Sequence, residues 1–243
     1  MAESGLLLET CTFEVRFDKA LLLWDRSGRL WLEATERFPG LEPTENISPN
    51  ATQFRDGLAT FAVDLDRCSV IFRGSSISRR DVLDAAPSFF EIVRDVLELT
   101  HATRLGFRPV FRRMVRDQAE AMRCLRAAGV LTEAGCPWNT ASPEWIRGSA
   151  MQRWKDGPTE FVLTVRTDEQ TVRSVPPAGV PAHLAQRLTL DETHHVFTVD
   201  IDYSTNAEVP RSKLDAAEWL RGAWAATEPV VASVERRIQG QGK

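Results

Sequence analysis

The chain has 243 residues, 43% of them apolar and 26% charged, with a formal net charge of −4. That composition excludes a disordered or collagen-like chain, and the acidic balance gives no global electrostatic reason to bind nucleic acid. No apolar run approaches the roughly 20 residues of a spanning helix, and the acidic opening Met1-Ala-Glu-Ser-Gly-Leu-Leu-Leu8 does not read as a signal peptide.

From the N-terminus, Thr12–Phe17 alternates apolar and charged residues, which predicts a half-buried strand. Between Ser27 and Phe38, Leu30, Trp31, Ala34 and Phe38 fall at helical spacing, with Ser27 as the expected cap and Pro39-Gly40 as the stop. Leu41–Asp56 reads as a loop or short edge strand. Leu58–Leu65 and Cys68–Phe72 then form a hairpin around Asp66-Arg67. Ser78–His101 carries a wide apolar stripe, capped by Ser78, with Pro87 expected to kink or split it. Arg104–Met114 is extended again, and Asp117–Ala128 predicts a helix ended by Gly129.

Thr132–Pro143, rich in turn residues, reads as the link between halves. Strands are predicted at Ser149–Lys155, Glu160–Arg166, Gln170–Val175 and Val196–Tyr203, and a final helix over Arg211–Arg237 with an internal Pro229. Without regular strand–helix alternation, the architecture expected is α+β with mostly antiparallel pairing.

Two stretches recur. Phe61-Ala-Val-Asp-Leu-Asp66 returns as Phe197-Thr-Val-Asp-Ile-Asp202, and Leu83-Asp-Ala-Ala86 as Leu214-Asp-Ala-Ala217, at offsets of 136 and 131 residues. This ordered pair of matches suggests an internal duplication. The expected fold is two pseudo-repeated halves, each a curved, mostly antiparallel sheet packed on a long C-terminal helix. The expected boundaries are 1–130 and 131–243, the two lobes forming one compact unit. The final helix, with Trp219 and Trp224, can cover its own sheet or a neighbour's, so a homo-oligomer stays open.

Paired acids are the first candidate for chemistry. On strands, Asp64 and Asp66 share a face, as do Asp200 and Asp202, about 7 Å apart within each pair. Such oxygen ligands suit Mg²⁺ or Mn²⁺, which would make a divalent-metal enzyme; the plainer reading is a polar strand face paired with arginines. The second candidate is a row of arginines, Arg104, Arg108 and Arg112, spaced roughly 13 Å apart on one strand face. The row could follow a phosphate backbone or serve to neutralise acids on adjacent strands. Arg113 and Arg116 lie close by. The sequence contains no G-x-S-x-G, P-loop or G-x-G-x-x-G pattern, and the four histidines lack a metal-ligand spacing. No cofactor is expected. Cys11, Cys68, Cys124 and Cys136 are widely spaced and read as buried thiols of a cytoplasmic protein.

The chain resembles a sporadically distributed family of bacterial and archaeal proteins of about this length, whose function has not been established. The resemblance lies in Phe13-Glu-Val-Arg-Phe17 leading to Phe38-Pro39, in Arg104-Leu-Gly-Phe-Arg108, and in Phe197-Thr-Val-Asp-Ile-Asp-Tyr203 before the last helix. Where the family continues Tyr-hydrophobic-Asn, this chain has Pro109-Val-Phe111. The resemblance therefore implies a fold and a length, and no reaction. The function expected is that of a non-enzymatic cytoplasmic protein that binds a macromolecular partner, first of all a protein. An accessory or immunity-type component of a defence or toxin system is the context this suggests. Nucleic-acid or phosphate binding by the arginine row is the alternative, and the metal enzyme the third reading.

Overall fold

Alternation on the first strand fixes which way the sheet faces. In β1 (Leu7–Arg16), Cys11, Phe13 and Val15 are fully buried while Thr12 and Glu14 point to the opposite side. The same period runs through β3 (Ala51–Arg55), β4 (Ala59–Asp64) and β5 (Arg67–Arg73), where Phe54, Phe61, Val63, Cys68, Val70 and Phe72 are buried. It also runs through β7 (Arg104–Val115) and β9 (Thr159–Ser174), while in β10 (Leu190–Thr205) residues 196–201 are buried on both faces. A one-residue slip in any of these strands would turn its apolar set to solvent, so the register is strongly determined. The computed structural model describes residues 5–44, 48, 50–74, 76–129, 148–174 and 190–240, with the side chains of 170–192 outside that description.

With the two-residue β2 (Glu42–Pro43) at one edge and β8 (Ser149–Asp156) at the other, these strands form one nine-stranded antiparallel sheet in the order β2-β3-β4-β5-β1-β7-β10-β9-β8. A second, two-stranded pairing joins β6 (His101–Ala102) to β11 (Val209–Pro210). Among the described residues there are four α-helices: α1 (Leu23–Arg37), α2 (Arg79–Val96), α3 (Gln118–Ala127) and α4 (Ala216–Gly240). They lie on the face that carries the buried strand residues. The α+β, mostly antiparallel class read from the sequence is thus observed.

Read outward from the central β1–β7 pair, one side of the sheet runs β1, β5, β4, β3 and the other β7, β10, β9, β8. The sheet is continuous across that centre, with Phe13 directly opposite Phe107, so no groove separates two lobes. Two cores form under it. One joins β1 and β3–β5 to α1, α2 and the start of α4; the other joins the end of β7, α3, β9 and β10 to the end of α4. The second core draws on residues 115–128 as well as 161–201, 234 and 238.

The repeated hexamers occupy strands of different rank. Phe61 is in β4, flanked by β3 and β5, whereas Phe197 is in β10, flanked by β9 and the central β7. The repeated tetramers differ as well: Asp84 lies inside α2, while Asp215 precedes α4 and accepts the Glu218 N–H at 2.7 Å as its cap. A Phe-x-Val-Asp string is also what a half-buried strand with a polar far face uses wherever it sits.

Local expectations differ at two helices. α1 starts at Leu23, ahead of Ser27, and has no side-chain cap; the burial of Leu23 and a turn closed by Leu23 N–H on the Ala20 carbonyl set its start. α2 begins at the expected Ser78 cap, whose Oγ accepts from Asp81 N–H. It runs on through Pro87 because Val82, Ala86, Phe89, Phe90 and Val93 bury one continuous face there. That burial outweighs the lost hydrogen bond, which costs about 3 kcal/mol with the ring clash. α4 likewise continues through Pro229. Its Trp219 packs on Phe13 and Tyr203, and Trp224 on Phe107, so the helix covers its own sheet. The expected linker Thr132–Pro143 lies outside the described residues, and no described helix is long and apolar enough to cross a membrane.

Candidate functional site

The sheet face away from the helices carries the residues singled out in the sequence. Among the described residues no helix covers it. At its centre β7 presents Arg104, Arg108 and Arg112 on one side, as the alternation requires. They do not stand as a row of free cations. Arg104 donates from Nη1 to Glu14 on β1 at 3.1 Å and from Nη2 to both oxygens of Asp202 on β10, at 2.8 and 2.9 Å. Arg108 grips Asp200 with a fork, Nε to Oδ1 at 2.9 Å and Nη2 to Oδ2 at 2.7 Å. Arg112 donates to Glu9, the residue at which the β1–β7 register shifts. On β9, Arg166 holds Asp168 at 2.7 Å and stands 3.7 Å from Asp200.

The outcome is a ladder of alternating charge across four adjacent strands. Asp200 sits at its centre with only 6% of its side chain exposed, roofed by the guanidinium of Arg108, which is itself 56% exposed. That fork, more than any other contact, holds the Arg108 guanidinium above its ordinary pKa, against the opposing effect of burial. A carboxylate this buried is tolerated because charge-assisted hydrogen bonds replace its water.

Gly106 explains the spacing of the Arg-x-Gly-x-Arg stretch. It stands between the two arginines on the same face, directly opposite Glu14, and a Cβ there would come within 2.6 Å of Arg104 Nη1. The missing side chain lets the Arg104 guanidinium lie across the strand between Glu14 and Asp202. Gly106→Val should keep the strand but expel that guanidinium, lowering stability by about 1–2 kcal/mol in urea unfolding, a partly exposed share of the usual charged hydrogen-bond value. A variant as stable as wild type would show the Arg104 contacts to be idle.

The aspartates do not assemble a metal centre. Asp64 on β4 and Asp200 on β10 are separated by β5, β1 and β7, four strand spacings or about 19 Å. Asp66 is not on a strand with Asp64 but exposed in the β4–β5 turn, and Asp64 is taken by Arg67 at 2.6 Å. Asp200 and Asp202 serve the arginines. Among the described residues no cluster of three His, Cys, Asp or Glu side chains could hold an ion. Cys11 and Cys68 are fully buried, and burial pushes both thiols well above the ordinary range, which makes them poor nucleophiles.

Sequence reasoning missed Glu9, Glu14, Arg166 and Asp168, which complete the ladder. The signal for Glu14 was present: it alternates with Phe13 and Val15, so it had to share a polar face with the arginines once β1 and β7 were neighbours. Which strands are neighbours is what the sequence did not disclose. No protein-family model matches this chain, and no curated protein matches its sequence.

Proposed function

We propose that this protein is a non-enzymatic scaffold that engages a protein partner through the uncovered sheet face, acting in the cytoplasm. One observation carries the reading: a broad strand face holds arginines and carboxylates in fixed, mutually paired positions, yet leaves the guanidiniums partly exposed. Paired side chains on rigid strands lose little conformational freedom on binding, and partly exposed guanidiniums, Arg108 most of all, still offer unused donors. A surface of alternating sign matches a mixed-charge protein surface. It suits a phosphate backbone poorly, because each arginine is already countered by a carboxylate and releases few counterions.

The strand order outward from β1 and β7 also favours an ancestral duplication. Its register would be β1–α1–β3–β4–β5–α2 against β7–α3–β8–β9–β10–α4, one strand displaced from the pairing that the repeated letters suggest. The polar face would then be a composite of two related halves meeting at the arginine strand.

Affinity capture from the native host tests the function. Ile71→Arg and Met151→Arg both place bulk on the open face, where their cross-strand neighbours are Thr12, Thr60 and Thr164 and not the ladder pairs. Each should reduce recovery of the partner by tenfold or more, whereas Arg80→Glu, on the outer side of α2, should leave it unchanged. Equal recovery by all three variants, or a chain that travels alone, would refute the proposal. Nuclease treatment should not release the partner. If it does, and binding weakens steeply with salt, nucleic acid is the ligand instead.

A further inference from the structure

We infer a second site, on the helix side of the molecule, that binds a phosphoryl or diphosphoryl group. It is a cleft of about 170 Å³ between the end of β7, one face of α3 and the last turn of α4, lined by Arg113, Arg116, Glu120, Arg123, Cys124, Ala127 and Ile238. Its chemistry is unlike that of the open face. There the guanidiniums have carboxylates of their own; here three guanidiniums line a cleft with a single carboxylate.

Local geometry divides Glu120 between two of them. Arg116 holds Oε2 with its Nε at 2.9 Å and its backbone N–H at 3.0 Å, while Arg113 Nη2 stands 3.6 Å from Oε1. Glu120 is held below the usual carboxylate range, chiefly by the Arg116 side-chain hydrogen bond, so it stays ionised and already committed. Arg113 is well covered, with 18% of its side chain exposed, and rises from the core side of β7 beside Cys124. Arg123 is exposed on the next turn of α3, near the same thiol. Asp117, one residue along from Arg116, is engaged at 2.7 Å as the cap of α3 through the Glu120 N–H. Among the described residues, three cations against Glu120 and Asp117 give the cleft a surplus positive charge.

Size narrows the ligand class. Drug-sized ligands occupy pockets of roughly 300–1,000 Å³, so this cleft takes an anion or the anionic end of something larger. Planar guanidiniums converging from a strand and a helix suit the oxygens of a phosphoryl group, which accept paired N–H donors. Neighbouring apolar walls, Ala127 and Ile238, lower the local dielectric and strengthen that attraction.

Calorimetric titration of the whole chain with inorganic phosphate, pyrophosphate and ADP tests the site and its source. Saturable pyrophosphate binding is expected at low salt. It should weaken about tenfold in Arg123→Ala, the value of one charged hydrogen bond, and tighten in Glu120→Gln, which removes the competing carboxylate. Arg123 is exposed, so its variant tests binding without threatening the fold; Arg113→Lys adds the buried donor and should also weaken binding. ADP binding more tightly than pyrophosphate, with the same dependence on Arg123, assigns the group to a nucleotide. Pyrophosphate binding alone assigns it to the free anion. No saturable binding of any of the three at millimolar concentration, or binding indifferent to both arginine variants, overturns the inference.

Discussion

Arg108→Met should lower the unfolding free energy by about 2 kcal/mol, because it strips a buried carboxylate of its forked partner. Asp200 would keep only Arg166, at 3.7 Å, and has almost no contact with water to fall back on. The figure lies below the full cost of breaking a buried pair because Arg108 is more than half exposed and solvent screens its half of the interaction. A double variant, Arg108→Met with Asp200→Leu, should recover most of the loss, since no charge is then left stranded in the sheet. Urea denaturation of the two single variants and the double one gives the coupling directly. Costs that simply add would show that the fork contributes nothing and that Asp200 is stabilised by other means. The same double variant should fold and yet lose its partner, which separates the stability of the ladder from its use as a binding surface.

Phe89→Ala should be the most destabilising single change in the chain, by about 3–5 kcal/mol. Phe89 is fully buried on α2. Its ring centroid lies 5.0 Å from that of Phe61 and 6.4 Å from those of Phe38 and Phe54, so it gathers α2, β4, β3 and the end of α1 around one ring. Truncation loses the transfer free energy of the ring and opens a cavity walled by three other aromatics that are each anchored on a different element. Glu91→Ala, two residues along on the exposed side of the same helix, should change stability by less than about 0.5 kcal/mol. If Phe89→Ala costs under about 1.5 kcal/mol, the site has collapsed around the gap, and the packing there is looser than the ring geometry indicates.

Much of the local structure was legible because it depends on neighbours along the chain. Alternation in β1 and the β4–β5 hairpin, the Ser78 cap, the helix from Asp117 and the Gly129 stop follow from hydrogen bonds and side-chain periods spanning a few residues. Gly129 takes the left-handed φ of 72° that a helix end favours. The three arginines of β7 were likewise correctly placed on one face. Misreadings arose where a distant contact overrode a local rule. Leu23 had a core to enter, so α1 began before its apparent cap; α2 had a continuous buried face from Val82 to Val96 to keep in line, so Pro87 did not split it.

For the candidate site, sequence alone determined which residues alternate to the polar face of β1, β7 and β10, because a strand has a period of two whatever it pairs with. Only the tertiary structure decided that β7 lies between β1 and β10. That adjacency hands Arg104 to Glu14 and Asp202 and Arg108 to Asp200, and leaves Asp64 on a distant strand. Strand pairing joins residues about ninety positions apart in the chain, and the choice among polar-faced partners rests on the packing of the opposite, apolar face. No charge pattern read along the chain contains that choice, which is why a row of apparent cations became a ladder of paired charges.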